Sequence, residues 1–134
     1  MSTPQRACID THALVWYLTR PARLAKKAAR FLRQADAGRA TVLVPAIVLV
    51  ELSLLREAGR KTVGPAEVEA LFAAQPTFVP LPLDVAQARD FALLTGLEDP
   101  FDRLVAAAAR TAGAQLITAD ITLHESALVD VLWD

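Results

Sequence analysis

Apolar residues along the chain fall into two spacings. Arg6–Ile9, Thr41–Val44 and Gln115–Thr118 are short runs without polar alternation, the pattern of strands buried on both faces. Thr77–Val79 and Val129–Leu132 are weaker runs of the same kind. Between these runs, helical segments are predicted over Thr11–Thr19, Ala22–Ala37, Pro45–Ala58, Pro65–Ala74, Asp84–Thr95 and Asp99–Gly113, with a short helical turn after Asp120. Backbone chemistry marks their ends. Gly38, Gly59, Gly96 and Gly113 follow helix C-termini, Pro45, Pro65 and Pro100 open helices, and Asp84 and Asp99 stand where a side chain caps the first turn. Buried strands separated by helices predict a parallel sheet covered on both sides. The expected fold is therefore a three-layer α/β/α single domain over residues 1–134 with a central parallel sheet.

Composition agrees with this reading. The 134 residues are 54% apolar and 22% charged, enough for one core and unlike a disordered chain. The single cysteine, Cys8, rules out an internal disulfide and lies in an apolar run, where packing is its expected role. No secretory pattern precedes the first strand, and the run Val42–Val50 is too short to cross a bilayer, so a cytoplasmic protein with no membrane contact is expected. The net charge of −1 conceals an asymmetry. Residues 1–61 hold eleven Lys/Arg and four Asp/Glu, a balance of +7, whereas residues 62–134 hold three and eleven, a balance of −8. The basic half could attract a polyanion, although Lys26, Lys27, Arg30 and Arg33 also read as a solvated helix face. Opposite halves also favour self-association.

The acids carry the chemistry. In open parallel sheets, ligands bind beyond the carboxyl ends of the strands. Asp10 follows the first strand and Asp120 follows Leu116–Ala119, though either could serve simply as a helix cap. Glu51 sits one turn from Ile47, Val48, Leu54 and Leu55, on an apolar stripe where an unpaired carboxylate would cost several kcal/mol. Asp102 shares a face with Val105 and Ala106, while its place in the first turn after Asp99 suits the helix dipole. Convergence of these four acids at one sheet end would raise some of their pKa values unless a hard divalent cation relieved the repulsion. No His/Cys cluster suits zinc, so Mg²⁺, or Mn²⁺, is the expected ion. There is no glycine-rich phosphate loop, and neither His12 and His124 nor Ser53 and Ser126 stand in a recognisable catalytic spacing. Trp16, Tyr17 and Trp133 read as core or interface residues.

At these residues the sequence resembles a known family. Ile9-Asp10-Thr11, the helix Pro45–Leu55 with Glu51, Asp99-Pro100-Phe101-Asp102-Arg103 and Leu116-Ile117-Thr118-Ala119-Asp120 are similar, in order and spacing, to the four acidic motifs of PIN-domain nucleases. The D-P-F-D-R run is similar to the VapC-like ribonuclease toxins of type II toxin–antitoxin modules. The resemblance implies a metal-dependent endoribonuclease with Asp10, Glu51, Asp102 and Asp120 as its catalytic and metal-holding acids. It further implies supporting roles for Asp99 and Thr118, in-line hydrolysis leaving a 3′-hydroxyl and a 5′-phosphate, a cognate antitoxin and a homodimer. On that reading Asp10 and Asp120 ligate directly and Glu51 and Asp102 act through water. Arg20, Arg23, Lys26 and Arg30 then become candidates for the RNA backbone. Leu97-Glu98 stands where this branch often has His-Arg, and Pro45 and Val48 stand where serines are common. None of these is an acid, so the departures bear on target choice.

Other functions fit less well. The same fold could serve as an inactive module that binds a partner protein or RNA. A phosphorelay receiver would need a late lysine, but the last is Lys61. A D-x-D phosphatase would need an aspartate where His12 stands.

Overall fold

The computed structural model describes residues 5–134. Five parallel strands form one sheet in the order β3-β2-β1-β4-β5, flanked by helices. The strands are β1 (Gln5–Ile9), β2 (Ala40–Pro45), β3 (Phe78–Leu81), β4 (Gln115–Ile117) and β5 (Val131–Leu132). The helices are α1 (Thr11–Thr19), α2 (Lys26–Asp36), α3 (Ala46–Glu57), α4 (Pro65–Ala74), α5 (Val85–Leu93), α6 (Pro100–Thr111) and α7 (Ile121–Ser126). The expected α/β architecture is the one observed.

The chain builds outward from β1 through β2 to β3, then returns to place β4 on the other side of β1. This reversal is a topological switch point, which leaves a crevice between the carboxyl ends of β1 and β4. Ala7, Cys8 and Ile9 of β1 pair with Gln115, Leu116 and Ile117 of β4, so both strands end level. The helix α6 packs against both strands and against α3 and α5, which brings its first turn over the crevice. All three β1 residues in that register are fully buried, as are Leu116, Ile117 and the alanines 106–109 of α6. Small residues let α6 approach the sheet closely. Cys8 has no accessible surface, and burial pushes its thiol up to about 12, which fits packing and not nucleophilic chemistry. Tyr17 stacks on Phe78, and Trp16 tilts against Trp133, placing these aromatics within the fold as expected.

The last strand is shorter than expected, Val131–Leu132 in place of Val129–Leu132, and Pro45 ends β2 where it was expected to open a helix. Three further boundaries differ for reasons of packing or strand position. The segment expected as one helix from Ala22 is a 3₁₀ turn at Pro21–Arg23 followed by α2 from Lys26. Leu24 leaves the helical region, with φ −70° and ψ 132°, and packs on the core. Burial of one leucine here outweighs continuous helix. β3 runs to Leu81 and includes Pro80, which an edge strand tolerates because one side needs no hydrogen bonds. α5 stops at Leu93 and not at Thr95, since Leu94 turns inward to a buried position.

Leu116→Ala should destabilise the domain by about 2–5 kcal/mol, because the truncation opens a cavity at a fully buried position of an interior strand. Urea unfolding followed by circular dichroism measures this, and an unchanged midpoint would contradict the interior placement of β4.

Candidate metal centre

The first acid is fixed by the strand it ends. Asp10 follows β1 and caps α1, its Oδ1 accepting from the Ala13 N–H at 2.9 Å. Its Oδ2 accepts from the hydroxyl of Thr118, which follows β4 and is fully buried. The same hydroxyl oxygen accepts from the Asp120 N–H at 3.0 Å, and Asp120 in turn caps α7 through the Leu123 N–H at 3.0 Å. One threonine thus ties together the two strand ends that flank the switch point. His124 supports it from behind, its Nε2 lying 2.8 Å from the Thr118 carbonyl oxygen.

Two further acids come from helices. Asp99 caps α6, accepting from the N–H groups of Phe101 at 2.8 Å and Asp102 at 3.1 Å. Because Asp99 takes the capping role, the Asp102 side chain is left free to face the crevice from the first turn. Glu51 reaches it from α3, half-buried beside Ile47 and Leu52. The result is a cavity of about 110 Å³ lined by Asp10, Glu51, Asp99, Asp102 and Asp120 together with Thr11, His12, Phe101 and Val105. Every acid singled out from the sequence reaches this cavity. Thr118 stands directly beneath it.

The electrostatics follow from that gathering. Burial raises the Asp10 carboxyl to about 6, with the Thr118 and Ala13 hydrogen bonds and the charge of His12 opposing the rise and Asp120 adding to it. Burial likewise raises Asp102 to about 7, and Asp120, Asp99, Asp10 and Glu51 all push it the same way. Among the described residues, no arginine or lysine offsets either group. Among the described residues the ion pairs are Arg56–Glu67 and Arg110–Asp90, both outside the cavity. Among the described residues, no three side chains of His, Cys, Asp or Glu form a ready-made chelate. The carboxylates face one another across a small gap. Hard oxygen donors around space that also admits water suit Mg²⁺ or Mn²⁺, which keep much of their hydration, better than zinc.

A larger groove of about 900 Å³ adjoins the acid cavity, and Thr11 and His12 line both. Of the four basic side chains picked from sequence, Arg20 lines this groove. Arg23 lies 5.5 Å over the Trp16 ring, at its margin. Lys26 and Arg30 stand exposed on α2, outside both linings. The groove also brings in Arg56, Arg60 and Lys61, which sequence reasoning passed over. Their only sequence signal is position, Arg56 in the last turn of the helix that carries Glu51 and Arg60 and Lys61 just past it.

An acid cluster at the switch point of a parallel sheet defines a class of α/β domain, and the sequence supplies the family. The chain belongs to the PIN-domain family, whose profile matches residues 7–127. Among solved structures it is similar to a chain of VapBC2 from Rickettsia felis bound to a DNA fragment from their promoter. That pair shares a TM-score of 0.70 and 16% identity, covering 97% of this chain and 100% of the other. It is also similar to a chain of FitAcB from Neisseria gonorrhoeae, with a TM-score of 0.65 and 21% identity over 94% of this chain and 96% of that one. A toxin–antitoxin complex from Klebsiella pneumoniae gives a TM-score of 0.54 and 17% identity over 85% and 86%. At these identities the likeness is one of fold. No curated protein sequence matches the chain.

The raised acids make stability depend on pH and on cation. Between the ordinary carboxylate value of 3.8 and the folded values of about 6 and about 7, the native protein binds protons that the unfolded chain has released. Their contribution to stability is present at low pH and is lost as pH rises through that window. Without divalent cation, Asp102→Asn should therefore melt above wild type at about pH 8, with the gap closing toward about pH 5. Mg²⁺ should raise the wild-type melting temperature more at the higher pH. A variant that melts below wild type under both conditions would contradict the mutual repulsion of these acids.

Proposed function

We propose that this protein is a Mg²⁺-dependent endoribonuclease that hydrolyses RNA phosphodiester bonds as the toxin of a toxin–antitoxin pair. The observation that carries this reading is the acid cavity: five carboxylates meet at the switch point with no arginine or lysine among the residues that line it. Membership of the PIN-domain family and fold likeness to chains from toxin–antitoxin complexes support it.

Each residue has a distinct task. Asp10 and Asp120 would hold the ion, Mg²⁺ or Mn²⁺, and Glu51 and Asp102 would hold its waters from the facing helices. Bound there, the ion supplies a water of lowered pKa and positive charge beside the phosphate. Thr118 keeps the Asp10 carboxylate in one orientation and the Asp120 backbone in register with it. Asp99 keeps the first turn of α6 in place, so that Asp102 faces the cavity. Val105 and Phe101 exclude bulk water from one wall.

The toxin reading also includes a cognate antitoxin, a homodimer and action in the cytoplasm. Val85 and Leu93 on α5, at 68% and 74% exposed, and Val50 and Leu54 on α3 give apolar surface for such partners. None of the described helices is long and apolar enough to cross a membrane.

Asp10→Asn and Asp102→Asn should each lower the cleavage rate by on the order of 10²-fold or more, as loss of a group that stabilises charge in a transition state does. Sequencing RNA 5′-phosphate ends after expression of wild type and each variant tests this and identifies the target. End maps that coincide across all three would leave a fold that binds a partner or RNA without cutting it.

A further inference from the structure

The groove beside the acid cavity has a built floor and an unpaired charge. Its outer wall begins where α3 ends. Gly59, at φ +85°, closes α3 with two backbone hydrogen bonds, Gly59 N–H to Arg56 O at 2.9 Å and Arg60 N–H to Leu55 O at 3.0 Å. This paired C-terminal closure fixes the direction in which Arg60 and Lys61 leave the helix. Arg56 braces the returning loop, donating from Nε to the Thr62 carbonyl at 3.0 Å and pairing with Glu67 at 3.5 Å. It lies flat against Gly64, where a Cβ would stand 2.4 Å from its Nη1. Arg56 is thus committed to structure, whereas Arg20, Arg60 and Lys61 are exposed and make no ion pair among the described residues.

A further feature points to a ligand in this groove. Thr11 and His12 also line the acid cavity, so a strand lying in the groove leads straight to the carboxylates. The charge order is informative as well. A polyanion is drawn to the cationic stretch and repelled from the acids unless these hold a cation.

We propose that this groove, between α1 and the loop after α3, holds the stretch of polynucleotide next to the bond that is cut, with Arg20, Arg60 and Lys61 on its backbone phosphates. The assignment rests on the reading of the acid cavity as a phosphodiester-cleaving centre. It places the RNA track on the α3 loop and away from the exposed basic face of α2, where Lys26 and Arg30 lie.

The test compares two pairs of substitutions that remove the same charge. Arg60→Gln with Lys61→Gln alters the groove, and Lys26→Gln with Arg30→Gln alters α2. Each pair is placed in the Asp10→Asn background, and binding of a short fluorescein-labelled single-stranded RNA is followed by anisotropy across a salt series with Mg²⁺ present. The groove pair should weaken binding on the order of tenfold at about 100 mM salt. It should also lower the slope of log affinity against log salt by about 1.4, since each single-strand phosphate contact contributes about 0.7. The α2 pair should change both quantities far less, and Arg60→Lys should restore most of the slope. Equal losses from both pairs, no loss from either, or weaker binding with an unaltered slope would overturn the assignment. So would a poly-glutamate peptide that binds through the groove residues and that RNA fails to displace, which would mark the groove as a seat for an acidic protein segment. The two readings fail separately. Wild type that cuts RNA while both pairs bind it alike removes the groove and keeps the nuclease. Groove-dependent binding by a wild type that cuts nothing does the reverse.

Discussion

A parallel sheet that grows first to one side of its central strand and then to the other must leave a gap where growth reverses. Here the gap lies between β1 and β4, and the rest of the molecule is arranged around it. Both strands end level, so the residues after them, Asp10 and Thr118 with Asp120, face one another. Paired backbones on one side and α6 on the other leave those side chains little freedom to turn away. The carboxylates are therefore held together by the fold in spite of their charge.

The cost of that arrangement is visible in Asp10 and Asp102, both raised well above the ordinary carboxylate range by burial and by neighbouring acids. Such a cost is common where charged groups are preorganised. Part of the cost is recovered through caps. Asp10, Asp99 and Asp120 each accept backbone N–H groups at helix starts, which gives three of the acids a structural partner even without a cation. Among the described residues Asp102 and Glu51 have no such partner, and they face the cavity from helices whose other inward residues are apolar. This division between capping and unpartnered acids separates the groups that build the site from those whose charge it must accommodate.

Much of this was legible in the chain itself. Strand runs without alternation, proline at helix starts and glycine past helix ends placed the five strands and seven α-helices, and the acid motifs stood at strand ends and on apolar helical stripes. Boundaries failed where tertiary packing opposed local pattern. Leu24 interrupts a run that reads as one helix because its side chain is drawn to the core, and Pro80 joins a strand because that strand lies at the sheet edge. Of the basic groove, only Arg20 was legible. Arg60 and Lys61 belong to a loop without periodicity, and only the return of that loop against α1 sets them beside Arg20.

Sequence by itself determined the order of the elements, their burial pattern and the identity of the acids, because these depend on local spacing and on the cost of burying charge. Tertiary structure decided which charges meet. Sheet order puts Asp10 beside Thr118 across more than a hundred residues, and the fold alone separates the cations that line a groove from those that stand in solvent on α2. Electrostatic interaction depends on distance in space, and spacing along the chain does not report it.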